Sequence, residues 1–474
     1  MKEHLQQLKG FLNKNAKEMA ARKIRLGVTG FSRSGKTVFI GALTQALLAT
    51  DPKRRNLAGP LQQFDAYERG FLRSARIRDD INPTLPQFPF RTVRDAMLSH
   101  SNHWPEPTTG IASITLELNL DSQHLAGKLL QDKLGLTDLG FGKLLLEIVD
   151  FPGEWLVDLP MLGQDYSQWS AQVLQAAGQG VRAQLAKNYH SQLAGLSAQQ
   201  GADEALLEQL QQGWTQYLMQ AAEHGLTENQ PGRHLRPDKL AQSPVLRFAP
   251  LPEHLAQSPL YKRCRERFAT YQQEVIKPFY RDVFSRMDRQ LVLVDVLRTL
   301  ELGEEAFTDM QQSLAKVLTS FDYGKGGLLS WLTGASTTKV LFAATKADHV
   351  TRGDRRNLED LLRNMLAIVD DNNRLRSSAK DWDVMALASV RATEDRATTQ
   401  EPIREVLYGQ PETETESAHW DPGGLPLDMP PQWDKVRFKF YRFAPLPYPD
   451  ALQQGFPAIN LGRALEFLIG DKNP

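Results

Sequence analysis

Six short apolar runs punctuate the chain, at Lys23 to Thr29, Ser113 to Leu120, Lys143 to Val149, Leu291 to Leu297, Lys339 to Ala344 and Asp383 to Leu387. The third reads Lys-Leu-Leu-Leu-Glu-Ile-Val, near-continuous as in a strand buried on both faces, whereas Ser113 to Leu120 alternates like a half-buried strand. Strands of this kind, alternating with helical spacing, predict a doubly wound, mostly parallel α/β sheet. Between residues 155 and 290 the period changes. Leu206, Leu210, Trp214, Leu218 and Ala221 recur at helical spacing in a stretch rich in Gln, Ala and Leu that is too long for one connecting helix. It predicts an all-helical domain inserted at 155–290, with 1–154 and 291–474 forming the sheet domain.

Several smaller features remain open on pattern alone. Leu5, Leu8 and Leu12 give Met1 to Arg22 an apolar helical stripe among lysines, suited to packing on the core or to lying on a membrane surface. An insertion at about 50–104 carries Arg54, Arg55, Arg69, Arg73, Arg76, Arg78, Arg91 and Arg94, a solvated face or a contact for phosphate, an acidic partner or lipid. Gly326 to Gly334 is a Gly-bounded apolar segment, and Lys435 to Phe443 predicts a terminal strand.

Composition narrows the classes. The 474 residues, 41% apolar and 24% charged, can bury a large core. Lys+Arg and Asp+Glu are both 56, so no net charge steers the chain toward nucleic acid. The single cysteine, Cys264, cannot close an internal disulfide and suits a reducing compartment, and its basic neighbours are expected to lower its pKa. No stretch reaches the ~18 apolar residues of a membrane span, and the N-terminus lacks a signal-peptide core. These features predict a cytoplasmic protein.

The chemistry begins at residues 30 to 37, Gly-Phe-Ser-Arg-Ser-Gly-Lys-Thr, a full G-x-x-x-x-G-K-[ST] phosphate loop between an apolar strand and the helical Val38-Phe39-Ile40-Gly41-Ala42-Leu43. Gly30 and Gly35 let the backbone bend so that the N–H groups of Ser32, Arg33, Ser34, Gly35, Lys36, Thr37 and Val38 face phosphate oxygens, aided by the following helix N-terminus. Lys36 would reach the β- and γ-phosphates, and the Thr37 hydroxyl would ligate Mg²⁺. Downstream, Lys143 to Val149 ends in Asp150-Phe151-Pro152-Gly153. There Asp150 suits a Mg²⁺-bound water and Gly153 a backbone contact to the γ-phosphate. Another apolar run ends in Thr345-Lys346-Ala347-Asp348, where Asp348 can accept from the N1 and N2 hydrogens of guanine while the Lys346 stem covers the ring. Together these segments predict a GTP and GDP site.

At this point the chain resembles the Ras-like and dynamin-like GTPases, whose guanine motif is [NT]-K-x-D; Thr345 stands where Asn is usual. The resemblance implies a P-loop GTPase fold and a guanine loop at Ser389 and Val390. It also implies a switch threonine before the second strand: Thr108 or Thr109, with Thr84 as competitor. Glu154 follows Gly153 where a Gln would orient the attacking water. Arg33 occupies the place of an internal arginine finger in the guanylate-binding proteins and atlastins, where two GTPase domains meet face to face, so a homodimer is implied. As a whole the chain is similar to the YcjX family of bacterial phosphate-loop proteins, associated with envelope stress. The resemblance rests on the Phe-Ser-Arg-Ser loop filling, the Asp150-Phe151-Pro152-Gly153-Glu154-Trp155 extension and Thr345-Lys346-Ala347-Asp348 in that order.

These features make a GTP-hydrolysing switch the leading expectation, its helical insert moved by nucleotide and available to a protein partner. A nucleotide-binding scaffold with little turnover and an ATPase are the alternatives.

Overall fold

A computed structural model describes residues 22–51, 53, 56, 58–80, 85–98, 103–106, 108, 110–121, 142–322, 339–369, 381–399, 401–433 and 436–472. The leucine stripe of residues 1–21, Arg54, Arg55, Thr84, Thr109 and the Gly326–Gly334 segment lie outside them.

Seven strands form one sheet: β1 (Arg22–Gly30), β2 (Leu72–Ile77), β3 (Ala112–Leu120), β4 (Lys143–Asp150), β5 (Arg289–Val294), β6 (Lys339–Thr345) and β7 (Asp381–Leu387), in spatial order β2-β3-β4-β1-β5-β6-β7. From β4 through β7 the pairings are parallel, and β3 and β2 add an antiparallel edge. The predicted doubly wound, mostly parallel sheet is therefore present. Alternate side chains of the continuous apolar strands serve opposite faces. Leu291, Leu293, Leu341 and Ala343 join one core with Phe39, Ile40 and Leu43 of α1 (Lys36–Leu48) and with Leu461 and Leu465 of the last long helix (Leu461–Ile469). Val292, Val294, Phe342 and Ala344 face the other core with Phe307, Leu314, Leu358 and Leu362.

Residues 153–288 contain helical turns and no strand among them, with the longest helix at Glu204–Glu223. Their large side chains, including Trp155, Trp169 and Trp214, join the same contiguous core as Val292 and Phe342. A capping box starts Tyr166–Ala177: the Asp165 side chain accepts from Gln168 N, and the Gln168 side chain accepts from Asp165 N.

Several expectations are corrected. The strand expected through Leu297 stops at Val294, because Asp295 caps a helix over Val296–Leu302, accepting from Arg298 N at 3.2 Å. Of the terminal strand expected at Lys435 to Phe443, Lys435 lies outside the described residues, and within Val436–Phe443 only Phe443 makes a bridge, an isolated one to Pro411. Edge strand β2 and a small sheet, β8 (Thr393–Ala397), β9 (Glu405–Gly409) and β10 (Ala418–Trp420), have no apolar run that predicts them. The arginines of the 50–104 insertion largely stay within the chain: Arg76 pairs with buried Glu117 at 2.8 Å, Arg78 with Glu117 and Asp80, Arg73 with Asp121, and Arg69 with Asp65. Cys264 is buried in helix Pro259–Tyr271, and burial pushes its thiol up to about 11, overriding its basic neighbours.

Candidate nucleotide site

The site lies at the C-terminal ends of the parallel strands, where α/β sheets gather their ligand loops. The turn from β1 into α1 is shaped by backbone geometry. Gly35 has φ +88°, and Arg33 holds φ +68°, an uncommon conformation for a residue with a side chain. Between them Ser34 is buried and closes the turn, its N–H donating to the Phe31 carbonyl at 3.1 Å. A Cβ on Gly30 would lie 2.4 Å from the Ser34 hydroxyl oxygen and 2.6 Å from the Leu293 carbonyl oxygen, so only glycine lets β1 approach β5 this closely. Inside the turn Lys36 Nζ donates to the Gly30 carbonyl at 2.6 Å. Gly153 packs from the other side; a Cβ there would come 2.8 Å from the Gly30 carbonyl carbon and 3.0 Å from Phe31 N. The turn after β1 and the segment after β4 are thus in backbone contact.

Beneath the turn three oxygen-bearing side chains meet. Thr108 N donates to Thr37 Oγ1 at 3.3 Å, the two hydroxyls are 3.5 Å apart, and the Thr108 hydroxyl donates to Asp150 Oδ2. Asp150 Oδ1 is buried with no hydrogen-bond partner among the described residues. Burial pushes the Asp150 carboxyl up, opposed by the nearby Lys36 ammonium and the Thr108 hydrogen bond. One orphaned carboxylate oxygen beside two hydroxyls is a hard-oxygen set that fits Mg²⁺, with phosphate oxygens and water completing the shell. Of the candidate switch threonines, Thr108 reaches this cluster.

At the far end β6 delivers Thr345, Lys346 and Asp348. The Thr345 hydroxyl donates to the Val294 carbonyl at 3.3 Å, tying β6 to β5 where Asn would have bridged loops. Lys346 has φ +61°, and its ammonium donates to Asp295 Oδ2 at 2.5 Å. Asp348 is buried, and its Oδ2 accepts from Ala392 N at 2.6 Å, which fixes the carboxylate plane. Ser389 and Val390 follow β7, and Ala388 is pinned by reciprocal hydrogen bonds with Ile459 at 3.2 and 2.8 Å.

These parts line one open cleft of about 270 Å³: Ser32, Arg33, Ser34 and on through Val38, then Thr108, Glu154, Thr345, Lys346, Asp348, Ser389 and Val390. Asp150 and Gly153 stand behind this lining, Asp150 accepting from Thr108 and Gly153 packed on Gly30. Of the sequence-predicted site residues, Gly30, Asp150 and Gly153 stand behind the lining and the others line it, apart from Thr109 and its competitor Thr84, which lie outside the described residues. The cleft also holds residues that the sequence did not announce. Arg236, from the segment after helix Gly232–Leu235, lines it beside Glu154, and Arg298 and Arg442 line it with Arg33. Burial, with Arg442 and Arg33 close by, lowers the Arg298 pKa against the opposing pull of Asp295 and Glu301, so this wall carries an excess of positive charge. No motif flags these arginines: they sit in helix ends and loops whose spacing carries no chemistry. Among the described residues no cluster of three or more His, Cys, Asp or Glu forms a metal site, and no helix is long and apolar enough to cross a membrane.

A strand-turn-helix phosphate loop at the C-terminal ends of a mostly parallel seven-stranded sheet is the architecture of a P-loop GTPase. Over residues 24–473 the chain matches the YcjX-like family, DUF463, and it belongs to that family. It is 36% identical to the Ras-like GTPase YcjX of Escherichia coli strain K12, covering 99% of this chain and 100% of the relative. It is also 32% identical to the Ras-like GTPase YcjX of Shewanella oneidensis, covering 96% and 95% of the two chains.

Proposed function

We propose that this protein binds GTP with Mg²⁺ in the cleft and hydrolyses it to GDP and phosphate. The observation that carries the reading is the meeting of Thr37, Thr108 and Asp150, with its unpartnered Oδ1, under a phosphate loop whose far wall ends in Asp348. The backbone N–H groups of Ser32 to Val38 cradle the phosphates, and Lys36 exchanges its Gly30 carbonyl for β- and γ-phosphate oxygens. Thr37, Thr108 and Asp150 are the residues that would hold a Mg²⁺, which would supply positive charge against the β- and γ-oxygens. Gly153 N–H contacts the γ-phosphate. Buried Glu154 accepts a hydrogen bond from the attacking water and orients it; the water oxygen bonds to the γ-phosphorus, the bond to the β–γ bridging oxygen breaks, and the water proton passes to the released phosphate. Asp348 accepts from the guanine N1 and N2 hydrogens and excludes adenine, and Ser389 and Val390 border the base.

Residues 155–288, two short of the expected boundary because Arg289 and Gln290 open β5, act as a helical unit after Gly153, shifted when the γ-phosphate draws that loop in and offered to a protein partner. Arg33, on the cleft wall without an ion pair among the described residues, acts on the phosphates when two sheet domains meet. Phosphate release with GTP and with ATP tests the whole: GTP-specific, magnesium-dependent turnover supports it. Binding without turnover would favour a nucleotide-controlled scaffold instead.

A further inference from the structure

We infer that Arg236 is an arginine finger supplied in cis, carried to the γ-phosphoryl group by the segment that follows helix Gly232–Leu235. This rests on the GTP reading above and assigns a residue on which neither a motif nor the family match bears. Arg236 is 204 positions from Ser32 in sequence, yet its Nη2 donates to Ser32 Oγ at 2.5 Å. Its Nε lies 3.8 Å from Glu154 Oε1, the neighbour of γ-sensing Gly153. The guanidinium therefore sits between the two loops that would enclose the terminal phosphoryl group, and not at the guanine end. Nη1 has no protein partner among the described residues, and the side chain is 30% exposed into the cleft. A cation facing a neutral hydroxyl and one distant carboxylate leaves donors for a phosphate, which a planar fork can meet bidentately.

The segment that bears it is fastened to the residues after Gly153. Asp158 Oδ1 accepts from Gly232 N at 2.8 Å, and its Oδ2 accepts from Tyr271 Oη at 2.6 Å. Trp155 Nε1 donates to the Arg236 carbonyl at 3.0 Å, and the Arg233 guanidinium lies 3.2 Å from the centre of the Trp155 ring. A Cβ on Gly232 would fall 1.8 Å from the Glu154 carbonyl oxygen, so the two segments touch backbone to backbone. When the γ-phosphate orders Gly153, Arg236 moves with the same loop. This differs from Arg33, which rides on the phosphate loop itself and would need a second molecule to become a finger.

The test uses the full chain with Arg236→Ala and Arg236→Lys, and Arg33→Ala for comparison. The Trp155 hydrogen bond is to the backbone carbonyl, so neither Arg236 substitution removes it. Single-turnover GTP hydrolysis should fall about 10³-fold in Arg236→Ala. GDP and non-hydrolysable GTP affinities should stay within about threefold, while binding of GDP with aluminium fluoride, which mimics the transferring phosphoryl group, is lost. Arg236→Lys, with charge but no fork, should restore at most a small part of the rate. The loss in Arg236→Ala should be the same at low and at high protein concentration. Native hydrolysis and fluoride-complex binding in Arg236→Ala would overturn the inference, as would a rate lost only in proportion to ground-state affinity. Failure of the unaltered protein to bind any guanine nucleotide would refute the underlying reading instead.

Discussion

Replacing Asp348 by Asn should turn a guanine site into a xanthine site. The native carboxylate is buried, with one oxygen already fixed by Ala392 N at 2.6 Å. An Asn side chain has one acceptor and one donor group. If its oxygen keeps the Ala392 bond, its NH2 faces the N1 and N2 hydrogens of guanine, donor against donor. If it turns round, the Ala392 N–H is stranded in the interior. Guanine thus loses two hydrogen bonds to a charged acceptor, each worth about 1.5–3 kcal/mol, so GDP should bind about 10²- to 10⁴-fold more weakly. Xanthine carries an oxygen where guanine carries the 2-amino group and can accept from the new NH2. Calorimetric titration of the variant with GDP and with xanthosine diphosphate measures both effects. GDP affinity within about threefold of native, with no gain for the xanthine nucleotide, would refute the assignment of Asp348 to base recognition.

Asp150→Asn removes a buried charge that has one unpartnered oxygen; the nucleotide-free chain should unfold about 1 kcal/mol less readily, while magnesium ceases to strengthen GTP binding. Thermal denaturation and titrations with and without chelator check the pair, and unchanged magnesium dependence would exclude Asp150 from the cation site. His234 is buried and its pKa is lowered by burial to about 3, against an ordinary 6.5. The folded state therefore resists protonation that the unfolded chain accepts below pH 6.5. The stability this group contributes is present above pH 6.5 and is lost as pH falls toward 3. Between pH 8 and pH 5 that loss amounts to about 2 kcal/mol. His234→Phe, which keeps a ring beside Phe248, should flatten that part of the urea-midpoint profile; an unchanged slope would show that His234 does not titrate as placed. Asp158 works in the opposite sense. Burial raises its pKa to about 6, so its contribution is full below pH 3.8 and lost as pH rises through about 6. Asp158→Asn should accordingly steepen the acid-side loss between pH 6 and 5, and a profile unchanged there would place the proton elsewhere.

The parallel strands and the ligand loops at their ends are legible in the chain because both depend on local rules. A near-continuous apolar run such as Lys143–Val149 can only be buried on both faces, and a phosphate loop needs glycine where φ is positive or backbones touch, as at Gly35 and Gly30. Strand β2 escapes a pattern reading because its arginines look solvated, whereas Arg76 and Arg78 fold over buried Glu117 on the neighbouring strand. The end of β5 is hidden because Asp295 resembles one more strand residue until its side chain is seen capping Arg298 N. Arg236 is invisible for a stronger reason. Its position depends on Asp158, Trp155 and Gly232 closing a contact across about eighty residues, and no spacing along the chain encodes it. The cysteine misleads because charge is adjacent in sequence while burial is set by the fold, and burial dominates.

The central claim is that separate loops converge on a magnesium-complexed guanine nucleotide. Isothermal titration of the full chain with GTP, GDP and ATP in magnesium tests it most directly. The account predicts one saturable site per chain for GTP and for GDP, weakened for GTP by chelator, with ATP at least about a hundredfold weaker. Absence of heat and of competition with either guanine nucleotide, or equal affinity for ATP, would contradict it.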